Sequence, residues 1–267
     1  MIYKPRGAAR EYGPAALNYY TGCRNGCRYC YVPNMLKQTL NDYRQHETPK
    51  ENARERIHAA IEAHAGSPEP IFLSFIGDPY CMAETTLKLT QGALVAGLGK
   101  TAFVILSKAG TAILRDIDLF KAYGPRIHVG QTLTFSDDTT SAEWEPGAAA
   151  PEDRLKSLTE LHKQGITTWA SFEPVVYITH ALEMITRSLQ AVDIYKIGKI
   201  NHNKQIESSQ NWELFLNNAI VLLRSHNKRF YIKQALRDAA PRAARLLTID
   251  ETDPDKHQPP GWNGGAA

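Results

Sequence analysis

Three of the chain's four cysteines fall within eight residues, in the segment Thr21-Gly22-Cys23-Arg24-Asn25-Gly26-Cys27-Arg28-Tyr29-Cys30-Tyr31. Sulfurs set three and then two residues apart let one short loop wrap thiolates around a metal centre, and no fourth cysteine stands nearby to close it. Iron-sulfur clusters take thiolate ligands, and a 4Fe-4S cube ordinarily takes four. Three would leave one iron open to a ligand that is not protein. A closed zinc site of three cysteines and one histidine competes with this reading, although the nearest downstream histidine is His46. A disulfide with a spare thiol is the third alternative. No secretory pattern opens the chain, and clustered cysteines suit a reducing, cytoplasmic setting.

The C-x3-C-x2-C spacing, with the aromatic Tyr29 directly before the last cysteine, resembles the signature of the radical S-adenosylmethionine (radical SAM) superfamily. The resemblance implies that Cys23, Cys27 and Cys30 hold a 4Fe-4S cluster. Its unique iron would chelate the amino and carboxylate groups of SAM, with the backbone beside Tyr29 near the adenine. It implies further that the reduced cluster passes one electron into the sulfonium. Methionine and a 5'-deoxyadenosyl radical result, and the radical takes a hydrogen atom from a substrate. An electron donor such as flavodoxin or ferredoxin would be the partner.

Such a loop needs a strand before it and a fold around it. At 267 residues the chain has the length of one α/β barrel, which commonly takes about 250. Short apolar runs rich in β-branched and aromatic residues alternate with segments of helical period, the pattern of repeated βα units. The expected strands are Ala16 to Tyr20, Ile71 to Ile76, Ala102 to Ser107, Ile127 to Leu133, Thr167 to Phe172 and Ile194 to Ile200, with a possible seventh near Arg229 to Ile232. Helices are expected at Glu51 to Ala65, Thr85 to Gly97, Ala112 to Ala122, Pro151 to Gln164, Ile178 to Leu189 and Asn211 to Ser225. Together with the resemblance this predicts a partial (β/α)6 TIM-type barrel over residues 1–249, with the cluster loop after the first strand. From Asp250 the composition turns to Pro, Gly, Asp and Asn and reads as a tail, residues 250–267, in which Trp262 could fold back as an anchor.

Parallel barrels gather their functional groups at the strand C-termini. Here those ends carry Asp78, Ser107 and Lys108, Thr132 and Thr134, Glu173, Lys196 and Lys199, and Lys233. Gly77-Asp78-Pro79-Tyr80 with Glu84, Ser107-Lys108, and Glu145-Pro146-Gly147-Ala148 leading to Arg154 resemble segments of the spore photoproduct lyase-like branch of the superfamily. That resemblance implies cofactor-binding roles for Tyr29, Gly77, Asp78, Lys108, Thr132, Thr134 and Arg154. A carboxylate at Asp78 would accept bonds from the SAM ammonium, or cap a turn. Arg154 would reach SAM or pair with Glu152 or Glu160. Cys81, following Tyr80, is the candidate catalytic pair's hydrogen donor or a small buried residue.

The substrate is open at this level. Arg6, Arg10, Arg24 and Arg28 with Tyr12, Tyr19 and Tyr31 would make a basic, aromatic rim suited to nucleic acid, which makes DNA or RNA lesion repair an alternative. A net charge of +3 does not require it. No apolar stretch has the length of a membrane span. No cysteine set follows residue 81, which argues against subgroups with a second cluster. Two further classes remain, cluster binding for electron transfer or sensing without SAM chemistry, and a SAM-dependent scaffold that has lost catalysis.

Overall fold

The computed structural model of the chain describes residues 1–261. Its central element is one eight-stranded sheet: β1 (Ile2–Tyr3), β2 (Ala15–Leu17), β3 (Ile71–Leu73), β4 (Phe103–Ser107), β5 (Ile127–Thr132), β6 (Thr167–Val175), β7 (Ile194–Lys199) and β8 (Arg229–Ile232), in that spatial order. β1 pairs antiparallel with β2, and every later neighbour is parallel. The seventh parallel strand expected near Arg229 is therefore present. β2 to β5 and β7 are buried along their whole length except at Leu106, as strands covered on both faces must be.

Three expectations shift in detail. The first strand ends at Leu17 rather than Tyr20, because the Asn18 side chain takes over as acceptor, receiving Phe75 N at 2.7 Å and Ser74 Oγ at 3.1 Å. Tyr20–Thr21 instead pairs with Thr48–Pro49 as a separate antiparallel ribbon beside the cysteine loop. The helix expected over Thr85 to Gly97 is two pieces, Glu84–Leu87 and Leu89–Gly97, divided at Lys88 with φ +52°. The segment from Ala112 begins as a 3-10 helix, Gly110–Asp116, before Ile117–Tyr123 turns α-helical.

The remaining returns match the period that predicted them. Ala53–His64 buries Ala53, Ile57 and Ile61 on one face. Pro151–Lys163 opens with proline in its first turn, where the missing N–H costs nothing. Trp212–Ser225 is capped by Asn211, whose side chain accepts Leu214 N at 3.0 Å. No helix among the described residues is long and apolar enough to cross a membrane.

Inside the curved sheet, Tyr12, Ala16, Phe72, Val104, Trp169 and Ile194 form a small buried cluster. Trp169 lies over Gly130, where a Cβ would stand 2.5 Å from its indole nitrogen, and donates to Ile105 O at 2.9 Å. Among the described residues the sheet is not closed by pairing between its edges. Residues 5–12 cross the gap instead: Lys196 Nζ donates to Tyr12 O at 3.2 Å, Lys233 Nζ to Ala8 O at 3.1 Å, and Tyr231 OH to Glu11 at 2.7 Å. The stretch whose composition reads as a tail packs behind this segment through Gln258. Asp255 pairs with Arg10 at 2.7 Å, Gln258 Nε2 donates to Tyr12 O at 3.0 Å, and His257 is buried. Trp262 lies outside the described residues.

Candidate active site

The loops that follow the strand C-termini surround a cavity of about 800 Å³, and Cys23, Cys27 and Cys30 all stand on its wall. The loop that carries them is tied to its surroundings by backbone. Cys23 N donates to Tyr43 O at 3.2 Å, Arg28 N to Trp144 O at 2.9 Å, and Gly147 N to Asn25 O at 3.1 Å. Gly22 has φ +89°, and a Cβ there would lie 1.6 Å from His46 O. A Cβ on Gly147 would lie 2.0 Å from Arg24 O. Only bare backbone lets these segments close around the three sulfurs.

Burial pushes all three thiols up, Cys27 to about 12, with Lys108 pulling against it. No group of three or more Cys, His, Asp or Glu side chains among the described residues converges to hold a single metal ion. A cubane asks something different, because each of its thiolates attaches to its own iron.

Beneath the loop lies a buried ionic cluster. Tyr29 OH donates to Glu145, whose Oε2 faces Arg154 Nη2 at 2.6 Å; Thr134 Oγ1 donates to Glu145 Oε1 at 3.2 Å, and Lys108 Nζ stands 3.9 Å away. Burial opposes the Glu145 charge, and Arg154 and Lys108 outweigh it, holding the carboxyl below its usual range. Arg154 also donates to Ala149 O at 2.7 Å and Thr132 O at 3.0 Å. Arg154 and Thr134 are thus spent on holding the floor and do not line the cavity, whereas Tyr29, Lys108 and Thr132 do. Arg154 pairs with neither Glu152 nor Glu160 but with Glu145. Glu145 is the residue that sequence reasoning passed over; its signal was the acidic position opening the segment that leads to Arg154.

Asp78 lines the cavity, but its carboxylate is already full. Oδ1 accepts Tyr80 N at 2.8 Å and Ser107 Oγ at 2.7 Å, and Oδ2 accepts Lys108 N at 2.8 Å and Asn25 Nδ2 at 3.1 Å. Four donors occupy the roughly four lone-pair positions of a carboxylate, so Asp78 is a clasp joining the cysteine loop to β4 and not an acceptor awaiting an ammonium. Neighbouring Gly77, with φ +121°, presents backbone to the cavity.

Tyr80 and Cys81 are not brought to the cavity. Tyr80 OH donates to Asp116 at 2.9 Å beneath Arg115, and Cys81 is buried in the apolar cluster between the sheet and its outer helices. Glu84, accepting Tyr20 OH at 2.5 Å and Arg115 at 2.8 Å, completes this brace. The hydrogen-donor reading of Cys81 lacks the access it needs. The basic rim also thins: Arg10 is paired with Asp255 and Arg28 with Glu143, Tyr19 is buried against Thr90, and Arg6, Tyr12 and Tyr31 reach the cavity.

The other wall is built by Glu173, Lys199 and Lys233 from the ends of β6, β7 and β8. The β6–β7 register shifts between Phe172 and Val175, where Pro174 has no N–H to give to the ladder.

Residues 17–192 match the family model described as the Radical SAM superfamily. The chain belongs to that superfamily. An uncharacterized protein of Methanocaldococcus jannaschii is 29% identical over 161 residues, 60% of each chain. An uncharacterized protein of Mycobacterium tuberculosis is 26% identical over 167 residues, covering 60% of this chain and 49% of its own. Among solved structures, spore photoproduct lyase superposes with a TM-score of 0.62 at 12% identity, covering 85% of this chain and 78% of that one. SuiB of Streptococcus suis, in a structure bound to S-adenosylmethionine, gives 0.61 at 10% identity, covering 85% and 52%. The chain therefore spans about three fifths of its archaeal relative and half of SuiB. The structural likenesses establish the fold, an open and mostly parallel partial barrel.

The residues present fit the two groups that membership of the radical SAM superfamily implies. Three thiols free of disulfides share a glycine-cleared wall, and the cavity beyond them is bounded by Gly77 backbone, Lys108 and Thr132.

Proposed function

We propose that this radical SAM protein is an enzyme that binds a 4Fe-4S cluster through Cys23, Cys27 and Cys30 and cleaves S-adenosylmethionine reductively to act on a substrate in the same cavity. The observation that carries the reading is that all three thiols open onto one cavity at the strand C-termini. When bound, the cluster and SAM supply one-electron cleavage to methionine and a 5'-deoxyadenosyl radical. The chain's own residues orient and enclose. Cys23, Cys27 and Cys30 hold the cluster, and the backbone at Gly77 with Lys108 and Thr132 faces the space left for SAM. Lys108 contributes positive charge to a wall where three thiolates would gather negative charge. Asp78 fixes Asn25, Ser107 and Lys108 relative to one another, which keeps this geometry from loosening. Burial of the loop restricts the access of water to reactive species. An electron donor such as a flavodoxin or ferredoxin belongs to this reading.

Anaerobic reconstitution with iron and sulfide tests it. Four irons and four sulfides per chain, a reduced-cluster resonance that changes on adding SAM, and 5'-deoxyadenosine formation are expected, all lost in Cys27→Ala. A wild-type chain that takes up zinc but assembles no cluster would overturn the proposal.

A further inference from the structure

We infer that Glu173, set by Tyr12 and Lys233, is a substrate-binding residue that receives an N–H or O–H donor carried by a flat ring. Calling the ligand a substrate rests on the radical SAM reading above; the binding site itself does not.

The hydrogen bonds at this wall leave one valence open. Glu173 Oε2 accepts Tyr12 OH and Lys233 Nζ, each at 2.5 Å. Oε1 has no hydrogen-bond partner among the described residues, and Glu173 lines the cavity with its side chain 19% exposed. Its neighbours have nothing further to give. An ammonium has three donors, and those of Lys233 face Glu173, Ala8 O at 3.1 Å and Glu11 Oε2 at 3.2 Å. The Tyr12 hydroxyl is held between Glu173 and Ser171 Oγ at 2.8 Å. The wall therefore presents an acceptor with no matching donor, and what binds must donate.

Shape narrows the class. Lys233 is shared between Glu173 and Glu11, so the open oxygen suits a donor whether neutral or cationic. Beside it the cavity is faced by Tyr12, Tyr31, Phe72 and Phe75, the last two stacked with centroids 4.3 Å apart. Such surfaces favour a flat ring over a branched chain.

Glu173 and the cysteine wall lie within residues 17–192, the part that matches the superfamily, whereas Tyr12 and Lys233, which set Glu173, lie outside it. Gly198 is the junction that lets the wall form. A Cβ there would lie 2.9 Å from Lys233 Cδ and 3.2 Å from Glu173 Oε1.

The test uses 2-pyridone, a flat lactam with one ring N–H, and N-methyl-2-pyridone, which lacks it. Affinities are measured by ligand-observed NMR titration on the reconstituted protein. A hydrogen bond to a charged acceptor predicts about tenfold tighter binding of 2-pyridone by the wild type. In Glu173→Gln the amide oxygen stays with Tyr12 and Lys233 and turns an NH2 toward the cavity. The preference for the N–H probe should then vanish or invert with iron content unchanged, while the melting temperature falls because the buried Lys233 loses a charged partner. Equal wild-type affinities for the two probes, or a preference that survives Glu173→Gln, would overturn the inference. Cluster assembly, counted on the same samples, reports separately on the enzyme reading.

Discussion

Glu145 and Arg154 meet at 2.6 Å with side-chain exposures of 0% and 1%, directly below the loop that carries Cys27 and Cys30. A charge pair this deep is stable only as a pair, because removing one partner strands the other in a medium that solvates it poorly. Arg154→Ala should therefore cost about 3–5 kcal/mol of unfolding free energy, read from denaturant titration. Iron retention should fall with it, since Tyr29 loses its anchored acceptor. A loss below about 1 kcal/mol, the range of exposed pairs, would mean that the cluster is hydrated.

The two buried cysteine environments should separate cleanly under mutation. Cys27 faces the cavity, whereas Cys81 sits in apolar packing with its thiol pushed up to about 12, chiefly by burial. Cys81→Ala is expected to cost on the order of 1 kcal/mol and to leave reconstituted iron at the wild-type count. Cys27→Ala should leave melting of the unreconstituted chain nearly unchanged while abolishing cluster assembly. Loss of iron in Cys81→Ala would show that its packing supports the cluster loop.

The alternation of apolar runs and helical periods disclosed six parallel strands, a possible seventh and most returns, because most strands bury both faces and each helix one. The cysteine triplet was legible for a different reason, its ligands being contiguous in the chain. What stayed hidden was how polar strand ends divide their labour. Asp78, Lys108, Thr134 and Arg154 look alike from the sequence as polar groups near a mouth. Only the distances show that Asp78 and Arg154 are consumed by internal bonds while Lys108 faces the cavity. The closure by residues 5–12 was equally unreadable, since its partners Ser171, Lys196, Lys233 and Gln258 lie more than a hundred residues away.

Gly22→Ala should damage the cluster loop, because Gly22 is buried against the His46 segment. The added Cβ meets His46 backbone at 1.6 Å and must also adopt φ +89°, which L side chains rarely accept. Moving the His46 segment would disturb the Tyr20–Thr21 pairing with Thr48–Pro49 as well. Lower iron occupancy after reconstitution, with faster amide exchange in residues 20–30 and 43–49, is the expected result. Gly66→Ala, where nothing stands within 4 Å of the added carbon, strains its backbone alike but should keep full iron occupancy.

Lys196 gives the fold a pH dependence whose sign can be worked out. Its Nζ is buried among Glu11 O, Tyr12 O and the rings of Tyr12 and Trp169, and burial, then Lys233, lower its pKa to about 7. Glu11 and Asp255 act in the opposite sense, and Arg10 in the same sense as Lys233. In the unfolded chain a lysine titrates near 10.4. Between about 7 and about 10 the unfolded state therefore binds more protons, and stability must rise with pH across that window. Below pH 7 both states are protonated, and the full cost of burying the charge is present. Lys196→Met removes the titration, so the wild type should gain on the variant by a few kcal/mol as pH climbs from 7 toward 10. Urea titrations of both proteins at pH 6.5, 8 and 9.5 measure the difference. A gap independent of pH would place the Lys196 amine in contact with water and remove it as the buried tie holding Glu11 and Tyr12 across the open side of the barrel.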